Sequence, residues 1–121
     1  MAQYPQGIFQ SLQWLLKKVK ILALQKQPTY VLTVTAGNTY TIPGRGYYYI
    51  TPTAGGTVQF PNPALMNGQT ITIYNNDGAN DVNIAATYRP FKGVTPTTIV
   101  GSYEVMTFTS INNNWITFIS L

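Results

Sequence analysis

The chain has 121 residues, contains neither histidine nor cysteine, and carries a formal net charge of +4. The missing cysteine excludes disulfides and thiolate chemistry, and the missing histidine removes the commonest general base and metal ligand. Charged residues make up 8% of the chain, against about 25% in typical soluble proteins. Threonine, asparagine, glutamine and tyrosine must therefore form much of the surface. The length fits one small domain with an appendage.

The N-terminal segment has the pattern of an amphipathic helix. Five apolar residues alternate at spacings of four and three, which is the heptad seam of a coiled coil; they are Ile8, Leu12, Leu15, Val19 and Leu22. Pro28 ends the pattern. We predict a helix over residues 6–27. Because three heptads are marginal as an isolated helix in water, we expect this seam to serve as an oligomer or anchor interface.

Positive charge is concentrated in the same segment. Lys17, Lys18, Lys20 and Lys26 precede Pro28, whereas three basic and three acidic residues balance each other beyond it. The lysines fit either an anionic partner or a solvated helix face. We expect no nucleic-acid partner, because the rest of the chain lacks a basic patch for phosphates. We also expect no membrane span, since lysines interrupt the apolar run.

Residues 29–121 have the period-two alternation of short β-strands. Nine stretches rich in β-branched and aromatic residues are separated by turns of Gly, Asn and Pro. The strongest hairpin signal is Asn76-Asp77-Gly78, and residues 112–114 mark another turn between the last two strands. No internal repeat extends beyond a few residues. We therefore predict a mainly β protein, with a coiled-coil-like helical segment at 1–28 and a small antiparallel β-sandwich or jelly-roll-like domain at 29–121.

The chain has few groups that could perform catalysis. It contains three acids, and Asp77 beside a glycine is better explained by turn chemistry than by a role as one of two glycosidase carboxylates. The oxygen-rich loop at residues 75–81 is a weak candidate for calcium, which takes six or more ligands. We predict no catalytic, cofactor-binding or metal-binding residues, no cofactor, and a protein that is not an enzyme. A small glycan-active enzyme that uses Asp81 and Glu104 is an alternative.

Three aromatic residues are candidates for glycan or interface contacts: Tyr47, Tyr49 and Trp115. Tyr47 and Tyr49 share one face of a predicted strand, because alternate residues point the same way. Exposed aromatic rings can stack on a ligand or anchor an interface. In the alternative, large rings such as Tyr48, Tyr49 and Trp115 fill a small β core or a subunit interface, and we favour this alternative for these three.

Part of the chain resembles a known group of viral proteins. Residues 68–77 (Gly-Gln-Thr-Ile-Thr-Ile-Tyr-Asn-Asn-Asp), 82–84 (Val-Asn-Ile) and 114–116 (Asn-Trp-Ile) resemble β domains of tailed-bacteriophage fibre and head-decoration proteins. The resemblance covers roughly residues 38–121 and is one of composition and strand order. It implies a homotrimer whose N-terminal segment attaches to the virion while a β head projects outward.

The resemblance also implies a function, a location and partners. The chain would be a head-fibre or capsid-decoration subunit on the capsid surface or in a virion appendage. Its partners would be copies of itself and other virion proteins, such as the major capsid protein. The alternative is a carbohydrate- or receptor-binding module of a tail fibre, with a glycan of the host surface as ligand.

Overall fold

The computed structural model describes residues 10–17 and 27–118. Residues 10–17 form a helix, α1. The strands that follow in the second range are β1 (Thr29–Val34), β2 (Thr39–Thr41), β3 (Gly46–Pro52), β4 (Thr57–Gln59), β5 (Thr70–Asn75), β6 (Val82–Ile84), β7 (Phe91–Lys92), β8 (Thr95–Pro96), β9 (Ile99–Val100), β10 (Val105–Ile111) and β11 (Asn114–Thr117). A short 3-10 helix, Pro63–Leu65, lies between β4 and β5.

The strands form two sheets between which the chain alternates. The larger sheet has seven strands in the order β1-β3-β5-β10-β11-β7-β8, and the smaller has four in the order β2-β4-β6-β9. In the larger sheet β1, β3 and β5 are parallel neighbours, and in the smaller sheet β2, β4 and β6 are parallel neighbours. Each pass through one strand of each sheet completes a turn, and the result is a β-solenoid of about four turns.

The predicted antiparallel β-sandwich or jelly roll is therefore wrong. Turns that would close hairpins in such a fold instead carry the chain from one sheet to the other. Residues 36–38 connect β1 to β2, and the predicted hairpin at 76–78 connects β5 of the larger sheet to β6 of the smaller. A turn motif determines the local bend of the chain, but the pairing of the next strand is determined by which of its faces becomes buried.

Unequal solenoid turns explain why no repeat is visible in the sequence. The strand β3 begins 17 residues after β1 (46 minus 29), whereas β5 begins 24 residues after β3 (70 minus 46). The extra length of the second turn includes the 3-10 helix Pro63–Leu65. The stacking of turns is therefore structural, with no matching period along the chain.

After the third turn, β9 and β10 run opposite to the strands on which they pack. Strand β9 pairs antiparallel with β6, β10 pairs antiparallel with β5, and β11 folds back on β10. The turn predicted between the last two strands is confirmed. Asn112 and Asn113 form its tip with φ values of 50° and 62°, which suits asparagine in a two-residue hairpin loop. Three parallel turns thus end against antiparallel strands.

The core lies between the two sheets. Tyr48 pairs in register with Ile73, which pairs with Met106, and all three are buried. An aromatic cluster closes the core near the C-terminal strands, where the Phe60 ring centroid is 4.9 Å from that of Phe108 and 5.7 Å from that of Trp115. The indole Nε1 of Trp115 donates to the Pro61 carbonyl at 2.7 Å. The prediction that Tyr48 and Trp115 are core residues is confirmed.

One buried polar side chain ties the third turn to the reversed strands. Asn75 at the end of β5 is fully buried. Its amide nitrogen donates to the carbonyls of Asn80 at 2.9 Å and Val100 at 3.0 Å, and its amide oxygen accepts from the Asp77 N–H at 2.9 Å. The Asn75 side chain therefore forms hydrogen bonds both with the loop that follows β5 and with β9. These bonds offset the cost of burying its polar atoms.

Of the predicted coiled-coil seam, only Leu12 and Leu15 lie in the described helix α1, and both are 53% exposed. Ile8, Val19 and Leu22 lie outside the described residues. The coiled coil and the full helix over 6–27 stay predictions.

Candidate functional site

The outward surface of the larger sheet has a flat region that we call the outer tyrosine face. Register places its members in two rows across β1, β3, β5 and β10. The first row is Thr29, Tyr47, Thr72 and Thr107, and the second is Val31, Tyr49, Tyr74 and Val105. Tyr47 and Tyr49 therefore do share a strand face, as predicted.

Neighbouring side chains on this face pack against one another. The ring centroids of Tyr49 and Tyr74 lie 5.2 Å apart at an interplanar angle of 31°, and the hydroxyls of Thr72 and Thr107 are 3.0 Å apart and share a hydrogen bond. Val31 is 76% exposed and Val105 is 60% exposed. None of the eight residues is charged, so covering the face with another surface would not require removing an ion from water.

Tyr49 corrects one expectation. We favoured the core or a subunit interface for this ring, but it is 40% exposed in the single chain, and Tyr47 is 50% exposed. Alternation along β3 sends Tyr48 inward between them. A core role is therefore wrong for Tyr49, and an interface role stays a prediction.

A second candidate is a cleft of about 350 Å³ beneath the β10–β11 hairpin, which we call the Arg89 cleft. The parallel pairing of β7 with β11 brings residues 86–91 beside the tip of that hairpin. The residues that give the cleft its chemistry are Tyr88, Arg89, Phe91, Asn113, Asn114 and Trp115. Trp115 is only 1% exposed, so it forms a wall of the cleft and cannot act as a stacking platform.

The guanidinium of Arg89 has few partners. Its Nη2 donates to the carbonyl of Ile84 at 2.8 Å, and its Nε is buried without an acceptor. No carboxylate pairs with it in residues 10–17 and 27–118. Because a guanidinium carries five N–H donors, Arg89 keeps donors and a full positive charge that the described part of the chain does not use.

Tyr88 has an unusual backbone conformation for its residue type. Its φ is 55°, in the left-handed region that costs an L-residue roughly 1–2 kcal/mol. Tyr103 has the same φ, and its ring lies over Gly78, where a Cβ would stand 3.0 Å from its hydroxyl. Tyr88 instead lines the Arg89 cleft and is 45% exposed. A residue with a strained backbone therefore lines the cleft.

Of the three acidic residues, Asp77 lies in its own turn, whereas Asp81 and Glu104 lie near each other. Asp77 accepts the N–H groups of Ala79 and Asn80 at 2.9 and 2.6 Å, and these bonds hold the pKa of Asp77 below its ordinary value. This agrees with the turn role predicted for it. Asp81 and Glu104 both approach Gly101, where a Cβ would lie 4.0 Å from the Asp81 Oδ1 and 3.4 Å from the Glu104 Oε2.

The described residues contain neither a metal-binding cluster nor a membrane-spanning helix. No cluster of three or more His, Cys, Asp or Glu side chains in those ranges is arranged to hold a metal ion. No helix within them is both long enough and apolar enough to cross a bilayer.

Sequence reasoning missed most of both candidate sites. The outward direction of Tyr74 follows from strand alternation, but its contact with Tyr49 depends on the parallel pairing of β3 with β5. For the Arg89 cleft no sequence signal was available, because Tyr88 and Asn113 are brought together only by the fold. No family model, curated protein or solved structure matches the chain. The assignment of either site therefore depends on the geometry of this chain.

Proposed function

We propose that the chain is a non-enzymatic structural subunit that self-associates as a homotrimer. In this proposal it is a head-fibre or capsid-decoration subunit of a virion, as the sequence resemblance implies. The observation that carries the self-association is the outer tyrosine face, where Val31, Tyr47, Tyr49 and Val105 are exposed together without any charge. Contiguous apolar patches of this kind mark interaction surfaces more often than free surface.

The composition of the face supports association between copies. Tyrosine is enriched at protein interfaces, where its ring packs and its hydroxyl still finds a hydrogen bond. The paired threonine hydroxyls and neutral side chains lower the cost of removing water. In a closed trimer, three copies would present the same face around a common three-fold axis.

Helix α1 supplies a second apolar surface. Leu12, Leu15 and Leu16 are each more than half exposed, and Leu12 and Leu15 belong to the predicted heptad seam. In the proposed trimer the seams of three helices pack together, and the β-solenoids pack through their outer faces. Attachment to the virion would then use the lysines of the N-terminal segment.

Solution mass measured by light scattering tests the proposal. We expect the full chain at about 40 kDa, three times the chain mass of 13.4 kDa. Tyr49→Glu, which places a charge on the outer tyrosine face, and Leu15→Asp, in the helix seam, should both lower this mass. Tyr103→Glu is the matched control, because Tyr103 is 64% exposed but lies outside the face. A monomeric full chain, or equal masses for all variants, would contradict the proposal.

A second candidate is a carbohydrate- or receptor-binding module that uses the same face. The observation in its favour is that Tyr47 and Tyr49 are exposed side by side, as rings that stack on sugars must be. This function requires the face to stay open to solvent. Binding of a neutral glycan that is lost in Tyr47→Ala, by a protein that stays monomeric, would favour it over the trimer.

A further inference from the structure

We propose that the Arg89 cleft binds a small acidic saccharide, a sugar that carries one carboxylate. The cleft lies beneath the β10–β11 hairpin and shares no residue with the outer tyrosine face. It is therefore a separate site, and its function does not depend on self-association. Its volume of about 350 Å³ is at the lower end of the range for small-molecule sites.

The charge of the cleft selects an anion. Arg89 contributes a guanidinium whose Nε is buried without an acceptor and whose Nη2 is bound to a single backbone carbonyl. The Nε is closed off from a ligand, but the Nη1 group makes no hydrogen bond within the described residues and keeps accessible surface, so its N–H groups can donate to a ligand oxygen. The other side chains that line the cleft are neutral, so one guanidinium faces the ligand alone.

A carboxylate matches this arrangement better than a phosphate. Carboxylate and guanidinium are planar, singly charged at neutral pH and able to form two parallel hydrogen bonds. A phosphate carries more charge, and proteins bind it with several basic side chains or with a row of backbone N–H groups. In this cleft the single negative charge of a carboxylate would balance the single positive charge of Arg89.

The rest of the lining matches a sugar ring. The half-exposed ring of Tyr88 and the half-buried ring of Phe91 offer apolar surface to the C–H face of a sugar. The amides of Asn113 and Asn114 are exposed at the hairpin tip. The Asn114 nitrogen donates to the Asn112 carbonyl at 3.0 Å, which leaves its oxygen for a ligand hydroxyl. Aromatic surface with a few convergent polar groups is typical of ligand sites.

The conformation of Tyr88 also points to a ligand. A tyrosine at a φ of 55° is held there by its surroundings at a cost, and such strain clusters at functional sites. Tyr88 stands in a turn, as the hairpin asparagines do, but asparagine tolerates a positive φ that tyrosine rarely adopts. Tyr88 also lines the cleft that contains Arg89.

A purely structural role for Arg89 is the competing explanation. The bond to the Ile84 carbonyl would by itself secure the segment after β6. That role uses one of five donors and gives no reason for the strained Tyr88. It predicts that no sugar binds in the cleft, whichever residues are exchanged.

The test is a titration of the full chain followed by two-dimensional NMR of its N–H signals. Glucuronate is the probe, and glucose and acetate are the controls. We expect saturable shifts of the Asn113 and Asn114 side-chain amides and of the Arg89 Nε–H with glucuronate. Affinity for glucose and for acetate should each be at least about tenfold weaker, because each lacks one half of the recognition.

Two tyrosine variants separate binding from folding. Tyr88→Gly removes the ring and suits the positive φ, so the thermal midpoint should not fall, while glucuronate affinity should drop about fivefold to tenfold. Tyr103→Gly makes the same exchange at the same φ of 55° outside the cleft, and binding should stay unchanged. Arg89→Gln should remove the preference for glucuronate over glucose.

Four results would each overturn the proposal. The first two are absence of saturable shifts with glucuronate and equal affinity for glucuronate and glucose. The other two are acetate binding as tightly as glucuronate and equal loss in Tyr88→Gly and Tyr103→Gly. None of these results bears on the mass of the protein in solution, so failure here and failure of the trimer are distinguishable.

Discussion

The two ends of the β-solenoid are built differently. At the start of the stack, β1 forms the edge of the larger sheet, and two of its three inward residues, Tyr30 and Leu32, are only partly buried, whereas Val34 is buried. One turn further, Tyr48 and Ile50 occupy the equivalent positions and are 1% and 0% exposed. At the other end the chain reverses and lays antiparallel strands over the third turn.

The difference shows how a parallel stack is stopped. A parallel turn presents the same unpaired strand edge as the turn before it, so stacking never closes by itself. The reversed strands end the sheets in β8 and β9, which have two residues each, and β8 contains Pro96, which has no N–H to donate. By contrast, β1 has six uncharged residues and pairs on only one side within the described residues.

The largest effect is expected from breaking the closed end. Trp115→Ala removes a buried indole from the cluster with Phe60 and Phe108 and should lower the free energy of unfolding by about 3–5 kcal/mol. Phe118→Ala, one residue beyond β11, is the control, because Phe118 is 75% exposed and should change stability by less than about 0.5 kcal/mol. Urea unfolding followed by circular dichroism measures both. Equal losses of stability in the two variants would mean that the aromatic cluster does not stabilise the C-terminal strands.

Two stacked tyrosines allow the stability contributed by the first turn to be compared with that of the second. Tyr30 lies in β1 at the open end of the solenoid, and Tyr48 lies in β3. The rings of Tyr30 and Tyr48 stack with centroids 4.7 Å apart, so each exchange removes one member of the same contact. Tyr48→Ala should cost about 3–5 kcal/mol as a fully buried residue, and Tyr30→Ala about 1–2 kcal/mol less. The same unfolding experiment compares them. A larger loss for Tyr30→Ala would show that the first turn is covered in solution.

Sequence patterns predicted the parts of the fold that depend on neighbours along the chain. Strand alternation placed Tyr47 and Tyr49 on one face, and the asparagines at 112–114 correctly predicted the final turn. The prediction of a hairpin at Asn76-Asp77-Gly78 was wrong because the turn residues determine only the local bend. The partners of β6 are β4, more than twenty residues earlier, and β9, and β5 is not among them. Parallel pairing leaves no short-range signature. The sheet arrangement therefore could not be derived from turn residues.

The candidate sites depend on such distant pairings. Tyr49 meets Tyr74 because β3 lies parallel to β5, and Arg89 meets the hairpin tip because β7 lies parallel to β11. A residue such as Arg89 stands in an irregular stretch of the sequence with no motif around it. Its unused donors become visible only once its neighbours are known.

The smallest effect concerns the ionisation of Tyr48, which lies next to the open first turn. Burial, followed by the nearby phenols of Tyr30 and Tyr40, raises the pKa of Tyr48 to about 12, and the neutral hydroxyl donates a hydrogen bond to the Gly44 carbonyl. Because the folded pKa lies above the ordinary value of 10.0, the neutral phenol contributes stability that is fully present below pH 10. This stability is lost as the pH rises toward 12. Thermal midpoints between pH 8 and 12, with absorbance at 295 nm, should therefore fall more steeply in the native protein than in Tyr48→Phe. Parallel curves would show that solvent entering through the open end already reaches the phenol.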